Sequence, residues 1–537
     1  MPRVLICDEL GAGGVQMLQA AGLEVDNRPG LKEAALTEAL RAADGAIVRS
    51  GTRIGAAQLE NPGRLRAIAR AGVGVDNIDV AAATRRGIVV MNTPDGNTLS
   101  AAEHTIALML ALARHIPTAD AQMRAGKWNR KLVGVQLTGK TLGVVGLGRI
   151  GQAVAKRALG LEMKVLGYDP FPPERIAEMH IELVGSVDEL MGRCDFLTIH
   201  AGLTDSTRGL IGQKQFALAR PGLRLLNVAR GGIVDESALI EALKAGRIAG
   251  AALDVYETEP LPADHPLLST PNLVLTPHLG ASTVEAQENV AREAASLLID
   301  YLTRGVIQSA VNMAAVDRNE REAIRAYVDL ARRLGLLQAQ SCDGVVRRVV
   351  LTYRGEVARR STRLLTTAFT AGLLEYRLGS EVNAVNAELL ARERGIEIVQ
   401  SISDRTGDFS TLIHTELITD QATTIAAGTL FGNDYPRVVQ LGQYRLEAYL
   451  DGVLLVFTHQ DVPGLIGFIG TIFGARGVNI AQMNVGRRQP GGEAIAVLNL
   501  DSTPPDDALA ELARHPKIAS LRVVKLPAAG ELPAWFG

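Results

Sequence analysis

One stretch constrains the fold of this chain more than any other: "GKTLGVVGLGRIGQAVAKRALGLEMKVLGYDP", residues 139 to 170. Gly146, Gly148 and Gly151 stand in G-x-G-x-x-G spacing between an apolar strand-like run and a helical run, and Asp169 closes the strand-like run that follows. A strand, tight glycine turn, helix and second strand in that order make a parallel α/β unit. Its glycines permit the turn, a close backbone approach to a pyrophosphate and helix-to-strand packing, while the helix N-terminus offers N–H groups and a dipole to the anion. Arg149 and Ile150 open that helix. Asp169 accepts hydrogen bonds from the ribose hydroxyls and repels a 2′-phosphate; no arginine follows in "YDPFPPE", so NAD is expected rather than NADP.

The same alternation extends to both sides. "RVLICDE", "GAIVRS", "RAIARAG" and "GIVVMNTP" precede the fingerprint, and "CDFLTIH", "LRLLNVAR", "IAGAALDVY" and "NLVLTPH" follow it. Apolar strands separated by helical stretches imply parallel sheets covered on both faces. Two series imply two doubly wound lobes. A long helix in "NTPDGNTLSAAEHTIALMLALARH" carries the chain from the first lobe to the second, and another in "ASTVEAQENVAREAASLLIDYLTRG" carries it back. From about residue 315 the texture changes to a long amphipathic helix and a mixed α/β stretch. The last 90 or so residues read strand, helix, strand, strand, helix.

Composition narrows the functional classes. A chain of 537 residues exceeds what one core supports. A net charge of -2 gives no general attraction to nucleic acid or to an anionic membrane, and no apolar run reaches the ~18 residues of a membrane span. Cys7, Cys194 and Cys342 are too few and too scattered for a disulfide framework or a cysteine-rich metal site. A cytoplasmic protein without a metal is expected.

Three strand-like runs of the second lobe end in residues that carry chemistry: Arg230 in "LLNVARGGIVDE", Glu259 in "ALDVYETEP" and His278 in "LVLTPHLGAST". Ligands of open α/β sheets bind beyond the carboxyl ends of the strands, where these three converge beside a nicotinamide. A histidine exchanges a hydroxyl proton near neutral pH. A carboxylate on its far nitrogen fixes the tautomer, and an arginine holds a substrate carboxylate and polarises a carbonyl.

Through "GLGRIG", "NVARGGIVDE", "LDVYETEP" and "TPHLGAST", residues 1 to 313 resemble the D-isomer-specific 2-hydroxyacid dehydrogenases, and Arg230, Glu259 and His278 match that family's triad. "VNAVNAELLARERGIEI" is similar to the intervening domain of the family's long, phosphoglycerate-oxidising branch, and "HQDVPGLIGFIGTIFGARGVNI" is similar to an ACT domain. The resemblance implies an α/β protein with a flavodoxin-like substrate lobe at 1–97 and 284–313 and a Rossmann-type NAD domain at 98–283. An α+β intervening domain, of the allosteric substrate-binding kind, follows at 314–445, and a ferredoxin-like ACT domain at 446–537.

It also implies NAD-dependent oxidation of 3-phospho-D-glycerate to 3-phosphooxypyruvate, in a homo-oligomer expected to be a tetramer. Arg149 and Ile150 lie along the pyrophosphate and Val228, Ala229, Asp254 and Gly280 line the nicotinamide end in this reading, and Arg49, Ser50, Arg70, Val73, Gly74, Asn97 and Arg130 receive the substrate. His459, Asp461 and Asn479 bind an amino acid, L-serine in the inhibited members, between two ACT modules. Two alternatives use the same features: a glyoxylate or hydroxypyruvate reductase, and a non-catalytic NAD sensor. The loop "RAGVGVDNIDV", residues 70 to 80, has its own G-x-G but no ribose-binding acid after a next strand. Its N–H groups are assigned to the substrate carboxylate, with Arg70 reaching for the phosphate.

Overall fold

The computed structural model describes residues 1–313, 318–403, 405, 407–432, 434–533, 535 and 536. The expected boundary at residue 314 lies outside them. Four sheets organise the chain. The first is fully parallel, with strands in the spatial order Glu24–Asn27, Arg3–Ile6, Gly45–Val48, Ala67–Arg70 and Val89–Asn92. In sequence numbering that is the 2-1-3-4-5 order of flavodoxin-like folds. Its strands, apart from the polar edge strand Glu24–Asn27, are apolar on both faces because helices cover both. On one side the helix Val284–Arg304 returns late in the chain and packs Val290, Ala294, Leu297 and Leu298 beneath Val4, Ile6, Ala67 and Val89. Thr283 caps that helix by accepting from the Ala286 N–H, and its Oγ1 lies 2.7 Å from Ser100 Oγ on the outgoing helix Thr98–Ala113. The two crossings are therefore joined at the hinge.

The second sheet holds Leu273–Leu275, Gly250–Leu253, Arg224–Asn227, Phe196–Ile199, Thr141–Val145, Lys164–Tyr168 and Glu182–Leu183 in that spatial order. All its pairings are parallel. The chain starts at Thr141–Val145 and winds outward in both directions. This makes the Rossmann order with one strand added, and its switch point lies at the fingerprint turn.

The third sheet runs Glu397–Ser403, Val346–Gly355, Thr411–Thr419, Thr423–Phe431, Tyr435–Leu441 and Tyr444–Tyr449, parallel only between the first two. The helix Arg318–Ser341 packs across it and beside Thr362–Leu378. The fourth sheet is antiparallel in the order Ile480–Arg487, Glu493–Leu500, Val453–Gln460, Ile518–Lys525, which is the ferredoxin-like arrangement. Its two helices cover one face, burying Leu465, Ile469, Phe473 and Leu512. The other face contributes Leu454, Ile495, Val497 and Val524 to the core of the preceding domain. Arg333, 0% exposed, fastens that seam by donating to the carbonyls of Leu450, Pro527 and Ala528 and pairing with Asp329.

Candidate active site

The carboxyl ends of both parallel sheets face one cleft. On the dinucleotide side, Gly146 has φ +89°, and a Cβ there would lie 2.6 Å from the carbonyl oxygen of His200. Only glycine satisfies both conditions. Gly151 passes over the Gly146 carbonyl, whereas no atom stands within 4 Å of a Cβ built on Gly148, so the backbone at the helix start is open to a phosphate. Asp169 accepts from the Leu147 and Phe171 N–H groups, each at 2.8 Å, which aims its carboxylate over the same turn. The residues present thus fit a dinucleotide. Arg149 swings from its helix to Asp95 at 2.7 Å, a residue of the turn that leads out of the first lobe.

Glu259 and His278 are in direct contact, and Arg230 stands at the end of a neighbouring strand of the same sheet. His278 Nδ1 lies 2.7 Å from Glu259 Oε2, and Glu259 Oε1 accepts from the Tyr256 N–H at 3.0 Å. Burial pushes the Glu259 carboxyl up, but the bonds from His278 and Tyr256 outweigh it and hold the pKa below its usual value. His278 itself sits at φ +55°, a conformation rare for a side chain larger than Asn. Asp254 over-determines it. Fully buried, Asp254 accepts from the N–H groups of Leu279 and Gly280, both at 2.8 Å, and from Thr276 Oγ1 at 2.6 Å, with His104 Nε2 at 3.2 Å. Burial opposes its charge, yet those donors hold its pKa below the ordinary carboxylate value. Asp254 was expected to line the nicotinamide end. It is 0% exposed and, through those bonds, its side chain fixes the backbone of residues 279 and 280.

Arg230 is set by Asn227, which accepts from the Ala229 N–H at 3.1 Å and donates to the Arg230 carbonyl at 2.8 Å. Its guanidinium crosses to the first lobe, where Nε pairs with Asp76 at 2.9 Å and Nη2 lies against Gly74. Asn92 braces that loop by donating to the Val73 carbonyl at 2.6 Å. Arg70 stands beside Arg230; burial first, then repulsion by Arg230, lowers its pKa to about 10, so it remains a cation at neutral pH. Arg49 donates to the Glu9 carbonyl on the neighbouring strand end, and Ser50 is exposed next to it. Asn97 caps the crossing helix without using its side chain, leaving a buried Oδ1 without a partner.

Arg130 departs from expectation. Its segment is anchored by Val135 to the Ala113 carbonyl, at the far end of the 16-residue helix Thr98–Ala113 from Asn97, about 24 Å away. Within one chain it does not join Arg49 and Arg70. The ACT residues are also separated. His459 and Asp461 sit at the end of Val453–Gln460, with Asp461 paired to Arg487 at 2.7 Å. Asn479 stands at the opposite end of the sheet, bonded to Asp501 at 2.7 Å. Asp76, Asn227, Asn92 and His104 were missed in the sequence. Only Asp76 carried a signal there, as an acid directly after the glycine loop.

A dinucleotide-binding turn on one wall, a carboxylate–imidazole pair and guanidinium groups suit hydride transfer at a hydroxy acid. These features define an NAD-dependent 2-hydroxyacid dehydrogenase. Accordingly, residues 106–280 match the family of the D-isomer specific 2-hydroxyacid dehydrogenase, NAD binding domain. Residues 323–442 match the D-3-phosphoglycerate dehydrogenase intervening domain, and residues 453–516 match the ACT domain.

The D-3-phosphoglycerate dehydrogenase of Methanocaldococcus jannaschii is 42% identical over 98% of this chain and 100% of its own length. That of Bacillus subtilis is 39% identical over the same shares. The chain belongs to the D-3-phosphoglycerate dehydrogenase family. Among solved structures, NAD⁺-bound 3-phosphoglycerate dehydrogenase of Entamoeba histolytica aligns with 59% of this chain and 99% of its own, at a TM-score of 0.50 and 29% identity. A glyoxylate reductase of Paecilomyes thermophila aligns with 58% and 98%, at a TM-score of 0.54 and 28% identity. Among the described residues no helix is long and apolar enough to cross a membrane.

Proposed function

We propose that the chain oxidises 3-phospho-D-glycerate to 3-phosphooxypyruvate, with NAD held over the turn of Gly146, Gly148 and Gly151 and at Asp169. NAD supplies the hydride acceptor. His278 takes the hydroxyl proton on Nε2 as C2 gives up its hydride and the C2–O bond becomes a carbonyl. Glu259 holds Nδ1–H and balances the charge that the ring gains. Arg230 receives the substrate carboxylate on the Nη2 edge beside Gly74, and Arg70 and Arg49 lie on the side where the phosphate extends. The observation that carries this reading is the 2.7 Å His278–Glu259 pair in the same cleft as Arg230 and Arg70.

The test compares NADH formation from 3-phosphoglycerate and unphosphorylated D-glycerate in wild type and Arg49→Ala. The phosphorylated acid is expected to be strongly preferred, and the preference to shrink in the variant; equal turnover of both acids in wild type would refute it.

The separation of His459 and Asp461 from Asn479 along the sheet supports an effector site shared between two modules, hence an oligomer, for which we keep the tetramer and L-serine as proposals. Titrating L-serine into the assay tests the second, and absence of both binding and inhibition at millimolar levels rejects it. Free Cys7 and Cys194, both buried, support a reducing cytoplasm.

A further inference from the structure

Glu259 lies in a turn, residues 254 to 260, that belongs to no helix or strand. Individual contacts therefore have to place it, since no backbone ladder does. Tyr256 supplies two: its hydroxyl donates to the Thr276 carbonyl at 2.9 Å, and its own carbonyl packs over Gly231, where a Cβ would overlap it. A further contact comes from Glu236, a second carboxylate beside a second imidazole. Glu236 Oε1 accepts from the Glu257 N–H at 2.7 Å, two residues before Glu259.

Glu236 stands on a rigid base. It opens the helix Glu236–Lys244, which Asp235 caps by accepting from the Ala238 N–H at 2.9 Å. The loop before that helix is pinned by Ile211, whose N–H donates to the Ile233 carbonyl at 3.1 Å and whose carbonyl accepts from the Asp235 N–H at 2.9 Å. The same loop starts at Arg230, so Glu236 ties the segment that carries the guanidinium to the turn that carries Glu259. On its other side His265 Nε2 lies 3.4 Å from Glu236 Oε2. His265 Nδ1 accepts from the Leu267 N–H at 3.3 Å, so the neutral ring carries its proton on the nitrogen that faces Glu236. Glu236 is 8% exposed. Burial first, then the charges of Glu257 and Asp235, push its carboxyl up against the pull of the Glu257 N–H and His265. A buried acid flanked by two others costs stability; what the side chain supplies is reach and an acceptor.

We infer that Glu236 is a positioning residue: by fixing the Glu257 N–H it sets the reach of Glu259 to His278, with His265 holding its second oxygen. It touches no reacting atom and acts through Glu259. The inference rests on the use of the His278–Glu259 pair proposed above.

Two conservative variants separate reach from charge. Glu236→Asp keeps the charge and withdraws the acceptor by about 1.5 Å, one carbon–carbon bond, whereas Glu236→Gln keeps the reach and removes the charge. NADH formation from 3-phosphoglycerate and from D-glycerate is measured for both, alone and combined with Glu259→Ala, beside melting curves and amide exchange over residues 256–259. Glu236→Asp is expected to lower kcat about tenfold, through a displacement of Glu259 of under about 1 Å, with KM for the acid and for NAD within about twofold. Glu236→Gln should stay within about twofold of wild type and melt no lower. In the Glu259→Ala background Glu236→Asp should cost under about twofold more, because the side chain it positions is gone. Exchange over residues 256–259 should quicken in Glu236→Asp and not in Glu236→Gln.

Wild-type kcat in Glu236→Asp overturns the inference, as does an equal loss in both variants. Losses that multiply in the double variant, or a loss confined to KM for NAD, make Glu236 a general support of the fold and overturn it too. Failure of 3-phosphoglycerate alone in wild type falls on the substrate proposed above, and the comparison then reads from D-glycerate; turnover of neither acid overturns the reaction and the positioning role together.

Discussion

Replacing Gly74 with alanine separates the substrate loop from the cofactor turn more cleanly than any change in the triad. Gly74 is not among the residues at positive φ, so its backbone accepts a side chain without strain. Its Cβ, however, would lie 1.6 Å from Arg230 Nη2 and 2.7 Å from Asp76 Oδ2, where ordinary contact begins near 3.4 Å. Arg230 has to retreat by about 2 Å. It is the flexible end of a partly exposed side chain, so the fold loses under about 1 kcal/mol.

Catalysis loses more. A misplacement of about 1 Å costs on the order of a hundredfold in rate, so kcat/KM for 3-phosphoglycerate should fall at least that far, equivalent to about 2.7 kcal/mol of transition-state stabilisation. The assay is steady-state NADH formation with each substrate varied in turn, beside a melting curve. KM for the acid should rise while KM for NAD stays within about twofold, because the dinucleotide turn lies in the other lobe. An unchanged kcat/KM, or a rise confined to the KM for NAD, would show that the loop does not face the substrate through Arg230.

Three further outcomes follow from the same geometry. Glu259→Gln keeps the shape of the 2.7 Å contact but removes its charge, so kcat should drop about ten- to a hundredfold with little change in KM, read by the same assay. Gly146→Ala meets both a positive φ and the His200 carbonyl at 2.6 Å. It should cost about 2–4 kcal/mol in denaturant unfolding and abolish NAD binding by fluorescence titration. Asp254 has a depressed pKa, so its stabilising contribution is whole above its unfolded value near 3.8 and declines as pH falls through the lower folded value. Melting temperatures should hold from neutral pH to about 4 and fall below it; Asp254→Asn should be less stable at pH 7 and flatter in the acid limb.

The legible parts of the sequence were those whose physics is local. A glycine turn between a strand and a helix has one geometry, so the dinucleotide unit and Asp169 could be read directly, and in the first two lobes apolar runs of strand length separated by helices implied parallel sheets. Arg230, Glu259 and His278 lie up to 48 positions apart, and strand-end placement sufficed to group them because every parallel strand delivers its carboxyl end to the same edge. The last strand, Ile518–Lys525, was less visible, because all but Val524 of its residues are exposed or half-buried without a regular period, and it gains its identity from pairing with Val453–Gln460.

What the sequence alone determined, then, was the set of elements and the chemistry at their ends. The tertiary structure decided which distant groups share a charge or an N–H. It set Asp76 against Arg230 across the two lobes, turned Asp254 from a cleft residue into a buried anchor for the His278 loop, removed Arg130 from the cleft and parted Asn479 from Asp461. Each of these depends on the relative position of elements separated by tens to hundreds of residues. That position is fixed by the packing of whole faces, such as helix Val284–Arg304 on the first sheet, and no local pattern around the residue itself encodes it.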